Sequence, residues 1–143
     1  MHAPRLSRIE LPLHADAPGR LDAAERLVGQ GRWGDAIAVL QRLLEEPGDG
    51  LVWAGRAYVP ASRAAEGRIA AMPPEGLRAY RLLYEPAARE LYERGIAERS
   101  EDALRRAASL YLNTEHGLRS LSALAAMLMD RGRFGAALLA LRR

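Results

Sequence analysis

The chain has no cysteine and no lysine, and a single phenylalanine, in 143 residues. The first absence excludes a disulfide framework and thiol chemistry. It leaves the compartment open, because cytosolic and envelope proteins can both do without cysteine. The second means that all 21 basic residues are arginine, set against 18 acidic residues for a net charge of +3. A lysine gap of this kind points to a GC-rich coding sequence rather than to selection for guanidinium. The arginines are dispersed and interleaved with Glu and Asp. A nucleic-acid partner would call for a basic block or stripe, so a solvated mixed-charge face is expected and no nucleic acid. β-Branched residues are scarce, which argues against an extensive sheet. No apolar run approaches the ~20 residues needed to span a bilayer. Residues 1–17 carry arginines but no continuous apolar stretch of the signal-peptide kind.

Alanine, leucine and arginine dominate, and all three favour helix. The length suits one domain, able to bury roughly 70% of its unfolded surface. Residues 1–18 hold three prolines and two histidines without a sustained period. They read as a flexible tail, with Ile9, Leu11 and Leu13 available to lie along the body. The domain proper is expected over 19–143.

Helical spacing of apolar residues places a first helix from Gly19 to Gln30 and a second from Gly34 to Glu46. In the second, Trp33, Ala36, Ile37, Leu40, Leu43 and Leu44 form the inward stripe, and Gln41, Arg42, Glu45 and Glu46 face water. Pro47-Gly48-Asp49-Gly50 is a stop and turn. Two β-prone runs over 51–60 flank Gly55-Arg56, as a small hairpin or an irregular loop. There Trp53 and Tyr58 are expected to cover the end of the helical stack. A short helix follows from Ala61 to Met72, then another over Glu75 to Tyr84. Pro86 restarts or kinks that helix, which runs to about Arg99. Ser100 and Thr114 are N-caps of two further helices. A last helix opens at Phe134 with Ala137, Leu138 and Leu141 on its stripe.

One segment recurs. Gly31-Arg32-Trp33-Gly34-Asp35-Ala36-Ile37 returns as Gly132-Arg133-Phe134-Gly135-Ala136-Ala137-Leu138. In each, glycine ends a helix without a Cβ penalty, the aromatic plugs the corner, and the alanine lets the next helix lie close. The tetratricopeptide repeat has a period of ~34 residues, and Ala24 and Ala125 supply the small residue that this template wants seven before each glycine. Degenerate repeats are expected near 19–47, 87–112 and 114–143. One 34-residue step from Gly31, Trp33 and Leu40 lands on Ala65, Gly67 and Pro74, so the region from Leu51 to Arg99 departs from the template. The last copy ends in the middle of a second helix, where a capping element is expected. This suggests a piece of something longer, or a core completed by a partner. The fold class expected is all-α: antiparallel hairpins in a right-handed tetratricopeptide-like stack.

An ordered series carries a family resemblance: Leu40-Gln41-Arg42-Leu43-Leu44-Glu45-Glu46, Met72-Pro73-Pro74-Glu75-Gly76-Leu77, Pro86-Ala87-Ala88-Arg89, Tyr111-Leu112-Asn113-Thr114-Glu115-His116-Gly117, and Asp130-Arg131-Gly132-Arg133-Phe134. Over residues 21–143 it resembles the helical, tetratricopeptide-like N-terminal region of large bacterial proteins in which that region precedes a PQQ-like (BamB-like) β-propeller. The propeller, a signal sequence and a lipoprotein cysteine are all missing from this chain. The resemblance implies a non-catalytic adaptor or scaffold in an envelope-associated protein. It does not extend to quinone binding, and no cofactor is expected.

The residues that chemistry would need are sparse. His2, His14 and Asp16 lie in the tail and are too few for a metal. Glu115 beside His116 is explained by the helix dipole, and no HExxH pairing or phosphate-binding glycine loop is present. Tyr80, Tyr84 and Tyr92, with Tyr111, invite comparison with an aromatic groove for a partner, although residues of this kind are more often packing residues whose hydroxyls reach the surface. Arg105 and Arg106, with Arg131, Arg133, Arg142 and Arg143, could form a basic edge for an acidic tail or a phosphate, against the commoner reading of an ordinary solvated rim. The function expected is protein or peptide binding, or contact with an adjacent domain, without catalysis. A sensor or regulatory domain of a bacterial transcription regulator is the alternative.

Overall fold

The structure, a computed structural model, describes residues 10–46, 48 and 50–142. Among them are seven helices: α1 (Ala17–Gly29), α2 (Trp33–Glu45), α3 (Ala61–Ala70), α4 (Pro74–Ala97), α5 (Glu101–Tyr111), α6 (Glu115–Asp130) and α7 (Phe134–Leu141). Two short strands, β1 (Leu51–Trp53) and β2 (Tyr58–Pro60), pair antiparallel with Val52 opposite Val59. The described residues are therefore all-α apart from this hairpin, which turns through Gly55 at φ +85°.

Residues 1–9 lie outside the described residues, so Ile9 is not placed. The rest of the expected tail belongs to the fold. His14 N–H donates to Leu51 O, and Leu51 N–H donates to Pro12 O, both at 2.9 Å, so this segment runs parallel to β1. Ala17, wholly buried, already opens α1. Leu11 and Leu13 nonetheless point outward, because only their backbone is engaged.

Three helix ends share one hydrogen-bonded corner. At the first, Gly31 N–H donates to Val28 O (3.0 Å) and Arg32 N–H to Leu27 O (2.9 Å). At the last, Gly132 N–H donates to Met129 O (2.9 Å) and Arg133 N–H to Leu128 O (2.8 Å). This is the Schellman pattern, which needs a left-handed residue just past the helix end. The glycines supply it at φ +70° and +72°. The third corner, between α4 and α5, pairs Ser100 N–H with Gly95 O (2.9 Å) and Arg99 N–H with Ile96 O (3.4 Å). Here Arg99 holds the left-handed position at φ +51°. The corner therefore recurs where its glycine does not.

Residue sizes at the middle corner are exchanged as well. Four residues before and five after the outer corners stand Leu27 with Ala36 and Leu128 with Ala137. The same positions of the middle corner hold Gly95 and Leu104. A Cβ on Gly95 would lie 2.6 Å from Leu104 Cδ2, so the leucine now fills the space from the opposite helix.

Two cores result. The first joins α1, α2, β1, α3 and the start of α4, around Ile37, Leu40, Ile69 and Tyr80. The second joins α5, α6 and α7 around Leu104, Leu124, Leu128 and Ala137, with Tyr92 of α4 against it. The 24 residues of α4 span ~36 Å and serve both. The helix does not restart at Pro86: α4 runs through it. Pro86 and Leu82, whose carbonyl loses its helical partner, lie on the exposed face.

Other expectations need correction. Gln41 does not face water; it is 2% exposed and hydrogen-bonded inside. Trp53 and Tyr58 do not cover the stack. They pack edge-to-face on each other, 5.2 Å between centroids, and both stay exposed. Trp33 and Phe134 occupy the same corner position but different surroundings. Trp33 rests on Gly76 in the first turn of α4, whereas Phe134 is exposed.

Candidate functional site

The residues singled out in the sequence fall into four separate places. Tyr80 is completely buried. Its hydroxyl donates to Gln41 Oε1 at 2.9 Å and lies 3.2 Å from Leu110 O, and Gln41 Nε2 donates to that same carbonyl at 3.0 Å. Burial first, then the neighbouring Tyr84, Tyr111, Glu66 and Glu45, raises the Tyr80 hydroxyl pKa far above the tyrosine range. It stays a neutral donor tying α2, α4 and α5 together. Tyr84 leans on it at 5.1 Å and stacks on Tyr111 at 5.6 Å. Burial, with Glu45 nearby, raises both of these hydroxyls too. Tyr80 is therefore a core residue and offers no surface to a partner.

Tyr92 does not join this ladder. It meets the His116 ring edge-on at 5.4 Å, beside a shallow groove lined by Leu118, Arg119, Ser122 and Ala123. His116 in turn contacts Glu85, a residue that belongs to no recognisable motif. The Glu85 carboxylate receives three donors from the start of α6. Glu115 N–H reaches Oε2 at 2.9 Å, His116 N–H reaches Oε1 at 2.9 Å, and His116 Nδ1 lies 2.5 Å from Oε1. Thr114 completes the cap by accepting Gly117 N–H at 2.9 Å. Burial raises the Glu85 pKa, but the hydrogen bonds from the His116 ring and the two backbone N–H groups outweigh it, and the net shift is downward.

A carboxylate–imidazole pair invites comparison with catalytic dyads, which need a nucleophile at the far ring nitrogen. The nearby hydroxyl of Ser120 donates instead to the His116 carbonyl at 2.6 Å. The ligand atoms of Glu85, Glu115 and His116 lie within 4.8 Å of one another. Those of Glu85, however, are occupied by N–H donors at a helix N-terminus, whose positive end opposes a cation. Glu115 pairs with Arg119 at 2.7 Å. The arrangement is a helix cap supplied from a distant helix. Glu85→Gln removes the charge and places an NH2 against an N–H donor, an expected cost of about 1–2 kcal/mol at neutral pH. A carboxylate with a depressed pKa stabilises above its unfolded pKa and ceases to do so as pH falls through the folded one. The gap between wild type and Glu85→Gln, followed by urea unfolding, is thus expected to close on acidification below the ordinary glutamate pKa of 4.5.

Arg105 and Arg106 also separate. Arg106 is close enough to Tyr111 to act on its hydroxyl. Arg105 lines a groove with Arg63 of α3, Ala108 and Ser109 of α5, Leu121 and Leu124 of α6, and Leu139 and Ala140 of α7, with a volume of about 230 Å3. The expected basic edge is partly neutralised. Glu101 Oε1 holds Arg131 at 2.5 Å and Oε2 holds Arg133 at 2.9 Å, which clamps the last corner. Arg143 lies outside the described residues.

The fourth place is the outer face of α7. Its inner side, Ala136, Ala137 and Ala140, packs on the second core. Matching the two glycine corners pairs Leu138 with Ile37 and Leu141 with Leu40. Ile37 and Leu40 are 1% and 0% exposed, whereas Leu138 and Leu141 are 57% and 54% exposed. In the first hairpin these positions are covered by the elements that follow α2. On α7 nothing among the described residues covers them. No family model, curated protein or solved structure matches the chain.

Proposed function

We propose that the chain is a non-catalytic interaction module of tetratricopeptide-like helical hairpins, which docks a helical hairpin of a partner protein or adjacent domain on the outer face of α7. The observation that carries this reading is the contrast between α2 and α7. The same corner, in the same geometry, is followed by a face that is packed in one copy and bare in the other. A helix apolar on all sides belongs between neighbours. The kind of neighbour is indicated within the chain, where α3 and α4 cover α2. The repeated corners support a stack of hairpins, and the parent class that fits is the helical region preceding a PQQ-like β-propeller.

The test appends a consensus tetratricopeptide hairpin at the C-terminus. Stability in such stacks grows with each nearest-neighbour interface, so the melting temperature is expected to rise by about 5 °C or more. The gain should vanish with Leu138→Ser and Leu141→Ser, which leave the unfused chain's stability unchanged. A native fusion without gain would overturn the reading. So would self-association of the unfused chain that these two substitutions abolish, because the face would then belong to a second copy.

A further inference from the structure

The groove between α3, α5, α6 and α7 has features that packing does not explain. Its floor is apolar, from Ala108, Leu121 and Leu124. Leu139 is 72% exposed at its edge, where the matching position of the first hairpin carries Ala38. An alanine would serve the helix equally well there. Arg63 and Arg105 stand on the groove walls, and no carboxylate lines it. Both are exposed, and neither makes an ion pair among the described residues.

From this juxtaposition we infer that the groove binds an acidic peptide segment anchored by an aliphatic side chain. The anchor would lie on Leu121, Leu124 and Leu139, and carboxylates on either side of it would meet Arg63 and Arg105. Guanidinium groups suit carboxylates because their planar fork offers paired donors, and their stems add apolar cover. The volume of about 230 Å3 falls below the ~300–1,000 Å3 of small-molecule sites, which favours a side chain over a cofactor. A phosphate alone would use the arginines and leave the apolar floor bare. The inference rests on the interaction-module reading but concerns a different surface from the outer face of α7.

The experiment measures fluorescence anisotropy of a labelled peptide with two leucines between pairs of glutamates. Arg63→Ala with Arg105→Ala is expected to weaken binding about tenfold, as is a glutamine version of the peptide. Leu139→Ser is expected to weaken it at least as much, and thermal melts of all variants should match wild type because the three side chains are exposed. Equal binding of the glutamine peptide, or no binding of the acidic one, overturns the inference. So does displacement by inorganic phosphate that is indifferent to Leu139→Ser, or preference for a short RNA over the peptide. Leu139→Ser leaves Leu138 and Leu141 in place, so the hairpin-fusion result and this one can fail separately.

Discussion

Leu104→Ala is expected to destabilise the chain by about 2–5 kcal/mol, and adding Gly95→Leu to it is expected to restore a large part of that loss. Leu104 is completely buried and packs against Gly95 of α4. Its truncation leaves a cavity that the surrounding helices fill only in part. Gly95→Leu alone is also expected to be harmful, by about 1–3 kcal/mol, because its Cβ would come within 2.7 Å of both Leu104 Cγ and Cδ2. Together the two changes recreate the leucine–alanine pairing of the outer corners, and a leucine in place of a mid-helix glycine gains helix propensity besides. The coupling, measured as a double-mutant cycle in urea, should be favourable by about 0.5–3 kcal/mol. Additive losses would mean that the middle corner is not a size-exchanged copy of the other two.

The second large effect is expected at Tyr80. Tyr80→Ala removes a fully buried ring from the contact of three helices and is expected to cost about 3–5 kcal/mol. Tyr80→Phe keeps the ring and takes away only the hydroxyl. Gln41 Oε1 then loses its donor inside the protein, an expected cost of about 1–3 kcal/mol. Chemical unfolding of the two variants separates the packing part from the hydrogen-bond part. If Tyr80→Phe is as stable as wild type, the Tyr80–Gln41 bond contributes nothing.

The outer corners were legible because glycine, an aromatic and alanine are residue types whose geometry is local. The middle corner was hidden for the opposite reason. Arg99 takes a left-handed conformation that composition does not announce, and the small residue had moved to the facing helix. Gln41 was misplaced because helical periodicity assigns faces by polarity. Only tertiary contact reveals that Tyr80 and Leu110 satisfy its amide. Glu85 left no local signal, since the N–H groups it caps lie some thirty residues onward. Pro86 misled because the rule against mid-helix proline applies to a carbonyl that has nowhere else to turn, and Leu82 faces solvent. At Leu138 and Leu141 the pattern of the sequence implied burial, and what would bury them is not among the described residues.

The continuity of α4 changes how such an assembly behaves as a whole. A string of hairpins touching only their neighbours can fray from either end, one unit at a time. Here one rod contributes side chains to both halves, so neither half can melt without withdrawing support from the other. The two halves are therefore expected to unfold as one cooperative unit rather than from the ends inward.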